Sequence, residues 1–301
     1  MRFPDNRGGY AVDEERLTAS CSFARAGADG GETGLGTGTI ALERSGGMIR
    51  AAIVPETVRV LFRLPCYEEP LGEQRSLLEN PTLFPLLSPI IYGTADFFRS
   101  VALYDFDPKL AKRAAPIAGR AELEPDAGNL AIVLRRILAD PGKKQMLAAF
   151  TAELLPFVEA FGVGEADRAL VTTVRETYTG TALIPASLVS DGTINVTALI
   201  VALYFGEKPV IVLEEPERNI HPFLISKIID MMHEVPERFG TQLMVTTHNP
   251  EFVKYAGMEH LFLISRDEHG FSRISRPSEK EELQAFLATM GIEELYVQNL
   301  L

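Results

Sequence analysis

The N-terminal part of the chain alternates apolar and polar residues at the two-residue period of half-buried strands. From Leu17 to Phe23 the odd positions carry Leu, Ala, Cys and Phe, whereas the even positions carry Ser or Thr. Residues 39–44 and 48–53 predict a hairpin around Ser45-Gly46-Gly47. We interpret the glycine-dense stretch from Gly31 to Thr39 as a flexible hairpin loop, because glycine is permissive in turns. The pattern therefore predicts an antiparallel β region.

Farther along the chain, apolar residues recur at helical spacing. Leu130 to Leu138 predict a helix for which Asp126 is the N-cap, and a second helix is predicted from Lys143 to Phe161. Strands are predicted next at residues 169–177 and 181–185, followed by a helix at 192–205 and a strand at 210–213. A helix at 222–235 and strands at 242–246 and 260–264 complete the predicted elements. This alternation predicts a parallel sheet covered by helices.

Composition narrows the class of protein. The 301 residues are 46% hydrophobic, which is enough to bury a full core, and the formal net charge of -12 argues against a generally basic nucleic-acid-binding surface. Two cysteines are too few for a disulfide framework and favour a reducing compartment. No signal-peptide core follows Met1, and the apolar run from Val196 to Phe205 is too short to cross a bilayer. We expect a soluble, cytoplasmic protein without membrane attachment.

Glu214 and Glu215 directly follow the apolar run from Val210 to Leu213. Open α/β sheets bind their ligands at the C-terminal ends of the strands, where these two carboxylates would lie. One carboxylate there can hold Mg²⁺ through water, and its neighbour can orient or deprotonate an attacking water. The alternative is a solvated acidic loop.

Ser190-Asp191-Gly192 opens the predicted helix at 192–205. Backbone N–H groups and the positive end of the helix dipole therefore face this corner, Ser190 adds a hydroxyl, and Gly192 permits close approach. Such a corner can hold the terminal phosphate of a nucleotide. An ordinary N-cap explains the same residues without a ligand.

His248 follows the predicted strand at 242–246, which we expect beside the strand at 210–213. An imidazole at this edge can hydrogen-bond a terminal phosphate or the water that attacks it. The alternative is a structural histidine ahead of a helix that Asn249 caps and Pro250 begins.

In this order and spacing, the motifs resemble those of the ATP-binding-cassette (ABC) class of ATPase heads. The chain is most similar to the predicted ATPases of the AAA_21 group, relatives of the chromosome-maintenance and recombination ATPases and of the overcoming-lysogenization-defect family. The resemblance covers residues 85–301 well and residues 1–84 loosely. It implies an α/β head with a mostly parallel sheet flanked by helices: an antiparallel β part at 1–84, a helical insertion at 85–165, and a core with signature, Walker B, D-loop and switch-histidine elements at 166–301.

The resemblance also implies a role for each site residue, with ATP and Mg²⁺ as cofactors. Glu214 would lie on the Mg²⁺ side, Glu215 would polarise the hydrolytic water, and His248 would sense the terminal phosphate. A homodimer mate or another ATPase head would be the partner. The remaining site residues would bind the nucleotide of that second head or line the seam between the heads: Ser190, Asp191, Gly192, Asn219 and His221.

The sequence departs from this group in one motif. The Walker A loop, Gly-x-x-x-x-Gly-Lys-Ser/Thr, cradles the nucleotide phosphates, and the nearest stretch, Gly31 to Thr39, has no lysine. A truncated sequence, a misassigned start and a genuine loss of nucleotide binding all fit. Because phosphate contacts dominate nucleotide affinity, we expect the printed chain to bind ATP weakly, with little or no turnover.

Three functions are open. The first is an ATPase acting as a dimer in DNA repair or phage defence, with nucleic acid or an effector protein as a further partner. The second is an inert or regulatory head that pairs with another subunit; an in-frame Walker A codon run upstream would favour the first. The third is a metal-dependent nuclease using Glu214, Glu215 and Glu217, which the lack of a later acidic cluster disfavours.

The middle of the chain is locally basic, which fits either contact with nucleic acid or a solvated helical face. The basic residues are Lys109, Lys112, Arg113, Arg120, Arg135, Arg136, Lys143 and Lys144.

Overall fold

The computed structural model describes residues 14–26, 32–45, 48–54, 68–70 and 88–279, together with residues 291 and 294. The chain forms two compact units, Met1–Arg99 and Ser100–Leu301. In the first unit an antiparallel sheet has the order β1-β2-β3-β4. Its described elements are β1 (Glu14–Ala26), β2 (Glu32–Ser45), β3 (Met48–Val54), β4 (Glu68–Pro70) and the helix α1 (Ser88–Ser100), which runs into the second unit.

The predicted hairpin is confirmed, because Ser45 pairs with Met48 at the end of the β2–β3 ladder. The interpretation of the glycine-rich stretch as a loop is wrong, since β2 begins at Glu32 and its residues pair with β1. The register shifts opposite Phe23 and Ala24, which leaves Leu35 as the extra residue of a β-bulge. Gly36 beside it has a φ of 122°, a backbone conformation that glycine adopts at no steric cost.

The second unit contains fifteen described strands and α-helices along the chain. They are β5 (Val101–Tyr104), α2 (Pro108–Ala111), β6 (Ala115–Pro116), α3 (Leu130–Ala139), α4 (Pro141–Leu154), β7 (Val158–Ala166), β8 (Ala169–Glu176), β9 (Ile184–Pro185), α5 (Asp191–Phe205), β10 (Val210–Glu214), α6 (Ile225–Phe239), β11 (Gln242–Thr246), α7 (Pro250–Ala256), β12 (Leu263–Arg266) and β13 (Ser272–Ser275).

The predicted mixed α/β fold is confirmed. A parallel sheet has the order β11-β10-β5, and the other strands of this unit form antiparallel sheets: β6-β8-β7 with β9 beside β8, and the pair β12-β13. The parallel part is limited to three described strands. Its third strand, β5, lies within residues 85–165, where the sequence indicated only helices. On one face of this sheet Ile211 and Leu213 are buried, whereas Leu103 and Met244 on the other face are about half exposed.

The core of this unit surrounds α5. Every residue from Thr193 to Tyr204 is buried, as expected of a helix that is apolar on all sides. The apolar run that begins at Val196 is therefore a core helix. Among the helices that the structure describes, none combines the length and the apolar character needed to span a membrane.

Two helix boundaries differ from the prediction. Asp126 does not cap α3; its carboxylate accepts a hydrogen bond from the Gly128 N–H at 2.8 Å, and Asn129 occupies the cap position. The helix predicted to reach Phe161 ends at Leu154, and β7 follows. Pro156 explains the early end, because the residue before a proline is disfavoured in helical conformation.

The burial of α5 leads to the first prediction. Leu199→Ala should lower the free energy of unfolding by about 2–5 kcal/mol, because Leu199 is 0% exposed and its removal leaves a cavity. Urea denaturation would measure this loss. Leu188→Ala is the matched control, since Leu188 is 77% exposed and should change stability by less than about 0.5 kcal/mol. Equal losses in the two variants would contradict the described core.

Candidate functional site

The two adjacent glutamates lie where the parallel sheet ends. Glu214 is the last residue of β10 and pairs in register with Thr246, and the Glu215 N–H donates to the Thr246 carbonyl at 2.9 Å. Glu215 then has a φ of 41°, which is uncommon for a residue with a side chain. The chain therefore leaves the extended strand conformation at Glu215.

Glu215 and His248 come together at this edge. Nε2 of His248 lies 3.8 Å from Oε1 of Glu215, and the His248 side chain is 87% exposed. The adjacency of β10 and β11 produces this meeting, because each residue follows the end of its own strand. The two groups thus face a site that solvent and a ligand can reach.

Arg218 and Asp105 belong to the same edge, and sequence reasoning missed both. The Arg218 guanidinium lies 2.9 Å from Oε2 of Glu215 and 3.0 Å from Oδ1 of Asp105. Asp105 follows β5, the third strand of the sheet. The available sequence signal was an arginine three residues after an acidic strand end, where a carboxylate needs a counter-charge.

Glu217 has a different environment from the two exposed glutamates. It is 9% exposed, its Oε1 accepts a short hydrogen bond from the Thr247 hydroxyl, and its Oε2 is buried without a partner among the described residues. Burial raises the pKa of Glu217, and the Thr247 hydrogen bond opposes this shift. Thr247 also accepts from the Asn249 N–H at 3.0 Å. Glu217 therefore joins the segment after β10 to the segment after β11, which carries His248.

The described residues give no support to the disfavoured nuclease alternative. No three histidine, cysteine, aspartate or glutamate side chains in the described part of the chain are placed to hold a metal ion together. The buried Glu217 carboxyl is engaged with Thr247 rather than sharing a ligand position with Glu214 and Glu215. Glu214 and Glu215 can still supply one or two carboxylates, which is what Mg²⁺ takes from a protein when phosphates and waters complete its shell.

Ser190 acts as the N-cap of α5. Its Oγ accepts from the Thr193 N–H at 3.1 Å and lies 2.7 Å from the Thr193 hydroxyl. Asp191 forms a short ion pair with Lys112, a residue that sequence reasoning had assigned to the basic segment. The capping explanation for Ser190 is therefore correct, and a phosphate contact by the same hydroxyl stays a prediction.

Gly192 packs directly against the segment after β10. A Cβ at Gly192 would lie 2.6 Å from the Asn219 carbonyl oxygen, so no larger residue fits without movement. Asn219 has a φ of 64°, and Nδ1 of His221 accepts from the Phe223 N–H at 3.2 Å. The predicted binding residues thus share one open cleft of about 430 Å³, lined by Ser190, Asp191, Gly192, Thr193, Asn219, Ile220, His221, Leu155, Phe157 and Leu224.

The predicted site residues therefore fall into two groups. Glu214, Glu215 and His248 lie at the sheet edge, and the other five line the cleft at the start of α5. The side-chain amide of Asn195 links the groups, because its Nδ2 donates to the Arg218 carbonyl at 2.7 Å.

A family model matches the chain over residues 69–254, more than half of its length. The model is AAA_21, described as "AAA domain, putative AbiEii toxin, Type IV TA system". No curated protein matches the sequence.

Solved structures give weaker likenesses. The SMC head domain from Thermotoga maritima is 13% identical with a TM-score of 0.41, over 86% of this chain and 74% of that one. A structure from work on the ATP-driven dimerization and DNA-stimulated activation of SMC ATPases is 13% identical with a TM-score of 0.39, over 52% and 94%. The Smc head with coiled coil and joint from Pyrococcus yayanosii is 16% identical with a TM-score of 0.38, over 52% and 29%. With TM-scores below 0.5, these likenesses carry no functional argument.

The contact between Gly192 and Asn219 leads to a second prediction. Gly192→Ala should destabilise the protein by about 1–3 kcal/mol, because the added methyl group must displace the Asn219 carbonyl. Thermal or urea unfolding would measure the loss. Gly164→Ala is the control, since a Cβ at Gly164 meets nothing within 4 Å. A Gly192→Ala variant as stable as the control would contradict this packing.

The third prediction concerns Glu217 and pH. Because the folded pKa of Glu217 is raised above 4.5, the native state holds this proton more tightly than the unfolded chain does. Its contribution to stability is therefore full below about pH 4.5 and is lost as the pH rises through the folded pKa.

Glu217→Gln removes this titration. The free energy of unfolding of the variant, minus that of the wild type, should therefore increase between pH 5 and pH 8, as measured by urea denaturation at each pH. Glu237→Gln on the exposed face of α6 is the control and should give a difference that does not vary with pH. A flat difference for Glu217→Gln would show that Glu217 is not desolvated.

Proposed function

The chain belongs to the AAA_21 family of ATPase domains, and from this premise we propose that it is an ATP-binding and ATP-hydrolysing ABC-type head that works against a second head. The observation that carries the proposal is the 3.8 Å separation of His248 Nε2 and Glu215 Oε1 at the end of two neighbouring parallel strands. A base and a hydrogen-bond donor that converge at this edge are suited to a water attacking a phosphate.

In this proposal each group at the edge has a separate task. Oε1 of Glu215 is the oxygen that Arg218 leaves open, so it accepts the proton of the attacking water. His248 donates a hydrogen bond to the terminal phosphate, and Glu214 holds Mg²⁺ through water. Bound Mg²⁺ and ATP would supply the reactive phosphoryl group and part of its charge neutralisation.

The cleft at the start of α5 supports pairing with a second head. Ser190, Asp191 and Gly192 lie at the N-terminal end of a 15-residue helix, whose dipole favours an anion. We propose that this end faces the terminal phosphate of nucleotide held by the other head, with Asn219 and His221 at the seam. The partner is a second copy of the chain or a related head.

The cellular role remains a broader proposal. The family description names a toxin of a type IV TA system, which supports a role in defence, and DNA repair is the other role that the resemblance suggests. Nucleic acid or an effector protein would then be the target of the ATP-driven pairing. The competing proposal is a catalytically inert head that only pairs with an active one.

The fourth prediction tests catalysis in an upstream-extended protein that carries an in-frame Walker A loop. Glu215→Gln should lower kcat for ATP hydrolysis by about 10²–10⁴-fold, because the attacking water loses its base. The variant should retain bound nucleotide that the wild type hydrolyses, measured by filter binding after gel filtration. Glu251→Gln, an exposed glutamate at the start of α7, should hydrolyse ATP like the wild type. Turnover by Glu215→Gln at the wild-type rate would reject the assignment.

The proposed function also predicts how the 301-residue chain binds ATP. Without a lysine-bearing phosphate loop, this chain should bind ATP weakly, with little or no turnover. Isothermal titration calorimetry would measure the affinity, and a micromolar Kd would contradict the expectation. If the upstream-extended protein pairs with a second head but does not hydrolyse ATP, the inert-head alternative is favoured.

A further inference from the structure

The Arg218 guanidinium bridges carboxylates from two neighbouring strand ends. Nη2 and Nε lie 2.9 and 3.3 Å from the same Oε2 of Glu215, and Nη1 lies 3.0 Å from Oδ1 of Asp105. A guanidinium is planar and presents its donors in fixed directions. The bridge therefore determines where the Glu215 carboxylate points, in addition to balancing its charge.

The bridge leaves one glutamate oxygen available. Oε2 of Glu215 is bound to Arg218, and Oε1 is the oxygen that faces His248. If Arg218 were absent, the carboxylate could rotate about its side-chain bonds and present either oxygen in several directions. Arg218 thus selects the orientation in which Oε1 is next to the imidazole.

The main chain of the same residue is attached to α5. The buried amide of Asn195 donates to the Arg218 carbonyl at 2.7 Å, and the next carbonyl, that of Asn219, lies against Gly192. The Arg218 N–H also donates to the Glu215 carbonyl at 3.0 Å. The backbone of Arg218 is therefore attached to α5 beside the cleft, and its side chain binds Glu215.

We propose that Arg218 is a positioning residue that couples the cleft at the start of α5 to the orientation of the Glu215 carboxylate. A second head that engages the cleft and moves Asn219 also moves the guanidinium that orients Glu215. This coupling rests on the proposed function, because the orientation of Glu215 matters for catalysis only if the protein hydrolyses ATP. The side chains of Arg218, Glu215 and Asp105 are partly exposed, so solvent screens the bridge and its effect is on position rather than on stability.

The first test needs no nucleotide and uses the 301-residue chain. Arg218→Ala should increase amide hydrogen exchange of residues 215–221 by about five-fold or more while the melting temperature stays the same. Arg218→Lys keeps the positive charge but lacks the planar set of guanidinium donors, so it should give a smaller increase in exchange. Arg175→Ala is the control, because Arg175 forms an ion pair of the same 2.9 Å length with Glu159 outside the site. It should leave residues 215–221 unchanged.

The coupling itself is tested with Gly192→Ala, which pushes on Asn219 from the cleft side. This variant should increase exchange in residues 215–221 as well as at the start of α5. An effect confined to the start of α5, or no effect of Arg218→Ala on residues 215–221, would overturn the proposal whatever the ATPase activity.

The second test separates positioning from nucleotide binding in the same upstream-extended protein. Arg218→Ala should lower kcat by about ten-fold or more and change the KM for ATP by less than about three-fold, and Arg218→Lys should recover part of kcat. An unchanged kcat in an ATPase-active protein would overturn the proposal. The proposed function would be rejected instead if the wild-type protein did not hydrolyse ATP and the Glu215→Gln variant did not retain bound ATP. The hydrogen-exchange results would still decide whether the coupling exists.

Discussion

The close approach of Gly192 to the Asn219 carbonyl is the contact on which the described site depends. It presses the start of the most deeply buried helix, α5, against the turn that follows the central strand β10. The elements on either side of this contact are fixed, because α5 is buried from Thr193 to Tyr204 and β10 is paired on both sides, so any displacement is confined to the turn between them. The turn from Glu215 to His221 is therefore supported by a rigid core, although the side chains of Glu215 and Arg218 are partly exposed to solvent. A rigid support of this kind is what a preorganised site requires.

The same turn explains why three acidic residues so close in sequence have separate environments. Glu215 and Asn219 both have positive φ values, so the backbone takes a left-handed conformation at both ends of this five-residue segment. As a result, Glu215 faces Arg218 and His248, whereas Glu217 points into the protein and bonds Thr247. Hydrogen bonds fasten this turn on two sides: the Asn195 side chain donates to the Arg218 carbonyl, and the Thr247 hydroxyl donates to the Glu217 carboxylate.

The sequence predicted those parts of the site that depend on local pattern. Strand ends follow from short apolar runs, so Glu214, Glu215 and His248 could be placed at one sheet edge before any coordinates existed. Arg218, Asp105 and Thr247 could not be placed, because their roles require the register of β5, β10 and β11 to be known. β5 itself was missed, since Val101–Tyr104 is too short to show a period. The glycine-rich part of β2 was misread for the opposite reason: glycine indicates a loop by propensity, whereas long-range pairing with β1 decided its structure.

The charges around Glu215 bear on how nucleotide could bind there. Glu214, Glu215 and Asp105 surround the edge, and the described cation in ion-pair contact with Glu215 and Asp105 is Arg218, which already serves both carboxylates. Among the described residues, a triphosphate that approached this edge would meet more negative than positive charge. Tight binding therefore requires positive charge from elsewhere, such as Mg²⁺ at Glu214, a lysine-bearing phosphate loop or the N-terminal helix end of another head. In the proposed function, this charge balance would make the head depend on other groups for binding its substrate.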